Sequence, residues 1–203
     1  MEVELKGWNE YLLSTFEWIT RLAYLNFLWI GFTLLGFGLF GFFPATAAMF
    51  KVVRTWLKKS TDIATMQTFW TEYRQNFKQI NIIGFVYIII GILLYVDFKF
   101  FQASHLILFN MISIFILIAA IIYVIACLYL FPMYAHFQLT TFEYIKYPFL
   151  YTIGRPIQAL MLLGVFIATF LIFYFIPGFL PVFLGSATSA VLMYLSKRTF
   201  LDY

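Results

Sequence analysis

Four stretches of the chain carry no charged residue: Leu22–Phe50, Gln79–Val96, Leu106–Ala135 and Pro156–Ser196. A helix that crosses a bilayer needs about 20 predominantly apolar residues. The first three stretches each suit one crossing. The fourth, 41 residues long, is too long for one and long enough for two. Its "IPGFLP" segment, with Pro177, Gly178 and Pro181, disrupts a helix and suits a tight turn. The pattern predicts five spans, near 20–43, 80–97, 106–131, 157–176 and 180–196.

Between the first two spans the pattern changes to helical amphipathicity over 44–79. Met49, Val52, Val53 and Trp56 form an apolar face, while Lys51, Arg54 and Lys58 fall on another. A basic amphipathic helix of this kind lies in the membrane interface. "STD" at Ser60, Thr61 and Asp62 then offers N-cap residues. A second amphipathic helix follows, with Ile63, Met66, Phe69, Trp70, Tyr73 and Phe77 on its apolar face. Pro44 is expected to kink or end the first span. Phe43-Pro44 and Phe131-Pro132 each close a long span and lead into an aromatic-rich segment. That echo suggests a parallel repeat about an axis along the membrane normal.

Composition agrees with the pattern. Hydrophobic residues make up 64% of the chain and charged residues 11%, against about 25% charged in soluble domains. The expected fold is all-α, a single polytopic membrane domain over 1–203. The N-terminal "MEVELKGWNEYLLSTFEWITR" lacks the features of a cleaved signal peptide, so the first span is expected to be retained. With five alternating spans, ten of the thirteen Lys and Arg residues fall on one side and Lys6, Arg21 and Lys99 on the other. Basic residues favour the cytoplasmic side. The expected topology is N-terminus out and C-terminus in.

Gly36, Gly38 and Gly41 spell G-x-G-x-x-G, with Asp62 about 20 positions on, the spacing of a dinucleotide-binding turn. Such a turn must follow a strand and open a helix within a βαβ unit. Here it sits inside 29 uncharged residues, and no nucleotide site is expected. On a continuous helix Gly31 and Gly38 lie within about 20° of each other, with Gly41, Ala45 and Ala48 nearby. The expectation is a small-residue face for close helix contact.

Chemistry-bearing residues are sparse. Cys127 is alone and set among apolar neighbours, which suits a packed core thiol. His105 and His136 fall near opposite ends of the third span and share no metal site. Asn26 and Asn81 suit hydrogen bonds between helices. No Ser-His-Asp set, HExxH, Walker A or metal-spaced Cys/His cluster occurs. The expectation is a non-enzymatic protein with no metal or cofactor. The tryptophans read as an aromatic belt.

The segment from Arg21 to Gln79 resembles the YesL-type bacterial integral membrane proteins, a domain of unknown function. The resemblance rests on Asn26 before Leu28-Trp29, the glycine-rich stretch, Pro44-Ala45-Thr46, Val53-Arg54 with Trp56, and Phe69-Trp70 followed by Asn76-Phe77-Lys78. It implies a multi-pass protein of the bacterial plasma membrane, of a family often encoded beside carbohydrate ABC importers. It offers no catalytic residues, and the chain lacks the "EAA" coupling loop of importer permeases. The leading expectation is therefore an accessory or assembly component of carbohydrate uptake. Its partners would be the lipid bilayer and an importer permease, with self-association also open and nucleic acid excluded. Asn26, Trp29, Pro44, Thr46, Arg54, Trp56, Phe69, Trp70 and Lys78 are the docking candidates. The alternatives are a small independent solute transporter and a helper in cell-wall polymer or lipid metabolism.

Overall fold

The computed structural model describes residues 2–58, 63–103 and 107–200, with side chains described from Thr15 onward, position 198 excepted. Ser60, Thr61, Asp62 and His105 lie outside the described residues. Among the described residues the elements are helical throughout: α1 Glu2–Leu35, α2 Leu39–Leu57, α3 Thr65–Gln75, α4 Phe77–Gln102, α5 Ile107–His136, α6 Thr141–Gly154, α7 Pro156–Phe175 and α8 Leu180–Phe200. A 3-10 turn at Pro177–Phe179 joins α7 to α8, where "IPGFLP" predicted the break. Five segments are long and apolar enough to cross a membrane: Thr15–Leu35, Phe77–Gln102, Ile107–His136, Pro156–Phe175 and Pro177–Lys197.

The first span ends earlier than its expected limit at 43, and its end corrects the reading of the glycines. The helix stops at Leu35, and Phe37 takes a left-handed φ of 57° and Gly38 one of 72°. The N–H of Gly38 donates to the Thr33 carbonyl at 2.9 Å and that of Phe37 to the Leu34 carbonyl at 3.0 Å. This paired closure satisfies the last carbonyls of the helix. The turn therefore needs no water for its backbone polar groups and can sit among apolar surroundings. Gly31 and Gly38 do not share a helix, so the proposed small-residue face over Gly31, Gly38, Gly41, Ala45 and Ala48 does not exist as one stripe. Gly36 and Gly41 instead let the two arms of the turn touch. A Cβ on Gly41 would run into the Thr33 carbonyl oxygen, and a Cβ on Gly36 would lie 2.7 Å from the Gly41 nitrogen.

The chain then doubles back. The ring centroids of Trp18 and Trp56 are 5.9 Å apart, as are those of Trp29 and Phe42, so α2 runs antiparallel to α1. Pro44 lies inside α2 and does not end the first span. Nor is 44–57 a surface helix. Pro44, Ala45, Ala48, Met49, Val52, Val53 and Trp56 are all buried. The amphipathic face was read correctly, but it packs on protein rather than lipid. The α3 helix keeps its amphipathic character, with Phe69 and Tyr73 buried; it starts at Thr65 behind Ala64, without a side-chain cap.

Three antiparallel hairpins, α1–α2, α4–α5 and α7–α8, compose the bundle. Their second members, α2, α5 and α8, pack against one another in the centre. Each first member packs on its own partner and on one neighbouring central helix: α1 on α8, α4 on α2 and α7 on α5. The arrangement approximates a three-fold rotation. The echo in the sequence corresponds to this order, since α3 follows the first hairpin and α6 the second. It fails at residue level. Pro44 falls in the first half of α2, whereas Pro132 lies near the end of α5.

Two contacts fix which helix ends lie together. Trp18 near the start of the first span meets Trp56 near the end of α2, and the Lys197 ammonium donates to the Leu57 carbonyl at 3.3 Å. The start of the first span and the end of α8 thus lie at the same end of the bundle. The α1–α2 hairpin returns the chain, because α2 runs back alongside α1.

The hairpins differ in reach. Phe40 packs on Phe85 with centroids 5.4 Å apart. From Phe85 the α4 helix continues about 25 Å to Gln102, whereas the turn at Phe37 lies only about 5 Å beyond Phe40. The upper α4–α5 hairpin exposes Leu93, Val96, Phe100, Ile107, Met111 and Phe115.

Candidate functional site

Two polar clusters and one basic end are embedded in the bundle. The first cluster joins α1, α2 and α8. Asn26, 1% exposed, donates through its side-chain nitrogen to the Pro181 carbonyl at 2.8 Å. Its side-chain oxygen accepts from the Ser186 N–H at 3.1 Å. The Trp29 indole N–H donates to the Thr46 hydroxyl at 3.0 Å, and Thr46 donates on to the Phe42 carbonyl at 2.7 Å. Gly185 makes room: a Cβ there would lie 2.9 Å from Asn26 Oδ1 and 3.2 Å from the Trp29 ring. The structure thus brings together Asn26, Trp29 and Thr46. Gly185 and Ser186, which complete the cluster, carried no signal in the sequence because α8 lies far along the chain.

A ladder of tyrosines forms the second cluster and binds α4 to α5 and α6. Tyr123 donates to the Tyr87 carbonyl at 2.7 Å. Tyr134 donates to Gln79 Oε1 at 3.0 Å. Tyr144 donates to the Phe137 carbonyl at 2.7 Å and accepts from the Leu139 N–H at 3.1 Å. At the start of α6, Thr140 and Glu143 form a reciprocal capping box. Two hydrogen bonds from Thr140, backbone and hydroxyl, hold the Glu143 carboxyl below its ordinary pKa. Asn81, expected to bond between helices, donates instead to the Phe77 carbonyl of its own helix at 2.8 Å.

The remaining docking candidates lie elsewhere. Phe69, Trp70 and Tyr73 gather round Phe32, with centroids 5.1 to 5.5 Å from its ring. Trp70 is partly exposed, and Lys78 is exposed at the start of α4. Pro44 and Trp56 are buried in α2. Arg54 is half-buried, about 12 Å along α2 from Thr46. It belongs to a basic end with Lys58, His136, Arg155 and Lys197. Arg155 donates to the Thr199 carbonyl at 2.8 Å, and the His136 ring packs 5.2 Å from that of Phe200.

An apolar cavity of about 370 Å³ lies between α1, α2, α5, α7 and α8, lined in part by Trp29, Thr46, Cys127, Phe131, Phe166 and Leu184. Among the described residues no group of three or more His, Cys, Asp or Glu could hold a metal ion.

Fold and site together define a multi-pass helical membrane protein whose buried polar groups join helices. The comparisons place it in a family. Residues 22–98 match the family described as "Protein of unknown function, DUF624". The uncharacterized protein YteU of Bacillus subtilis (strain 168) is 36% identical, over 88% of this chain and 80% of its own length. YesV of the same organism is 35% identical over 95% and 92%, and YesL is 32% identical over 90% and 86%. The chain belongs to this YesL-like DUF624 family. No solved structure matches it.

Proposed function

We propose that this protein is a non-catalytic plasma-membrane component that assists carbohydrate uptake by contacting the membrane subunits of an importer. The observation that carries the non-catalytic reading is the use made of the buried polar groups. Asn26, Trp29, Thr46, Tyr87, Tyr123 and Tyr134 are engaged in bonds that lock helices together. The link to carbohydrate uptake is carried from the resemblance to the YesL type. The outward faces of α4, α5 and α7, rich in exposed Leu, Ile and Phe, supply apolar surface for lipid and for a partner's helices.

In this reading both termini face the cytoplasm. Arg54, Lys58, Arg155 and Lys197 gather at the end where the first span begins, while Lys99 lies in the last turn of α4, about 30 Å along the helix from Gln79. Basic residues favour the cytoplasmic side.

Affinity capture from native membranes in mild detergent, read by mass spectrometry, tests the proposal. Near-stoichiometric recovery of importer permease supports it. Recovery of this protein alone, from membranes where an importer is abundant, counts against it. The cavity between α1, α2, α5, α7 and α8 favours one second reading, an independent carrier of small neutral solutes. Proteoliposomes that fail to pass candidate sugars would remove that reading.

A further inference from the structure

The C-terminal ends of the three central helices carry a cluster of basic and polar side chains. Arg54 and Lys58, four residues apart, share one face of α2. His136 is the last residue of α5, and Ser196 and Lys197 lie in the last turns of α8. Two contacts draw these ends together. The Lys197 ammonium sits 3.3 Å from the Leu57 carbonyl oxygen, and Phe200, one turn beyond Ser196, packs on His136 at 5.2 Å. Arg54, Lys58 and Lys197 all lie within electrostatic reach of His136.

Among the described residues, three polar atoms of this cluster are buried and without a hydrogen-bond partner: Arg54 Nε, His136 Nδ1 and Ser196 Oγ. Ser196 is fully buried. One such atom comes from each central helix. A buried polar atom without a partner is costly, and the neighbouring positive charges repel one another. Among the described residues the carboxylate within reach of Arg54 is Glu72, and Glu72 is paired with Lys51 at 3.4 Å. Three buried polar atoms lack partners, and among the described residues of this end positive charge outweighs negative. A ligand that removes both imbalances is an anion with several acceptor oxygens. Guanidinium and ammonium groups recognise phosphate oxygens in this way.

We propose that Arg54, Lys58, His136, Ser196 and Lys197 form a binding site for a phosphate-class oxyanion at the basic end of α2, α5 and α8. The phosphate is either that of an anionic lipid headgroup or a free anion. The site is independent of the role in carbohydrate uptake, because any partner could be absent and the anion would still bind.

The test uses the full chain in two settings. Inorganic phosphate is titrated into detergent-solubilised protein by calorimetry, with chloride as the control. In parallel, native mass spectrometry counts phospholipid adducts on protein from nanodiscs of phosphatidylglycerol and of phosphatidylcholine. Saturable phosphate binding identifies a free-anion site. Phosphatidylglycerol adducts retained over phosphatidylcholine, without phosphate binding, identify a lipid-headgroup site. Either signal should fall at least tenfold in Lys197→Gln and in Arg54→Gln. If Arg54→Gln does not fold, Lys197→Gln and the milder Ser196→Ala carry the comparison. No binding by the unaltered protein in either setting, or equal binding by the folded variants, overturns the proposal.

Discussion

Asn26 on α1 holds two backbone groups of α8 at once, the Pro181 carbonyl at 2.8 Å and the Ser186 N–H at 3.1 Å. These bonds bridge the first hairpin to the last and so close the ring of three. Replacing Asn26 with Leu removes both, and Leu is a poor fit beside Gly185. Interhelical hydrogen bonds of this kind contribute about 1–2 kcal/mol. The expected outcome is a lower thermal midpoint in detergent with helicity retained, measured by circular dichroism. An unchanged midpoint would show that the clamp is not structural.

The glycines separate two architectures by mutation. Gly41→Ala drives a methyl group into the Thr33 carbonyl oxygen, with Phe32 O 2.7 Å away. Overpacking of this kind costs about 1–3 kcal/mol. Gly31→Ala meets nothing within 4 Å and should be close to neutral. A continuous small-residue face would make both substitutions matter, so comparing their detergent unfolding midpoints tells turn from stripe.

Phe37 occupies the left-handed position that glycine normally fills, and it is 92% exposed. The left-handed conformation costs a residue with a Cβ about 1–2 kcal/mol. Phe37→Gly should therefore raise the unfolding midpoint. A fall would mean that the ring's contacts outweigh the backbone strain.

Much of the fold was legible in the sequence, and the part that was not has a physical cause. The five apolar segments declare themselves because a bilayer excludes charge over a fixed length. The α2 helix escaped because Lys51 and Arg54 interrupt its apolar character while its other face is buried by protein. The turn at Gly36–Gly38 escaped because the usual marks of a turn are polar, and this one satisfies its carbonyls internally. Of the site, Asn26, Trp29 and Thr46 were named among nine docking candidates, and these three meet in space. Ser186 carried no such mark, and the neighbours of His136 were not legible, since helices distant in the chain set them.

Sidedness is open to direct measurement. In a background with Cys127 replaced by Ser, cysteines introduced at the N-terminus and at Lys146 should react with a membrane-impermeant maleimide from the same side. A cysteine at Ala103 should react from the other. Labelling of the N-terminal and Lys146 positions from opposite sides would contradict the hairpin of α1 and α2.

Glu143 gives a dependence on pH of known sign. Its carboxyl is held below the ordinary range by bonds from Thr140. The stabilisation is therefore fully present above the ordinary glutamate pKa and is lost as pH falls through the lowered one. Amides in the first turn of α6 should lose hydrogen-exchange protection on acidification, after correction for intrinsic rates. Thr140→Ala should remove that protection at neutral pH and flatten the response.

The unequal reach of the hairpins gives the molecule a tapered outline. Near the basic end three hairpins occupy the cross-section, whereas beyond the turn at Phe37 the α4–α5 pair extends about 20 Å farther. A body broad in one leaflet and slender in the other displaces unequal numbers of lipids from the two. A wedge of this outline is expected to partition unequally between small and large vesicles, which differ in curvature.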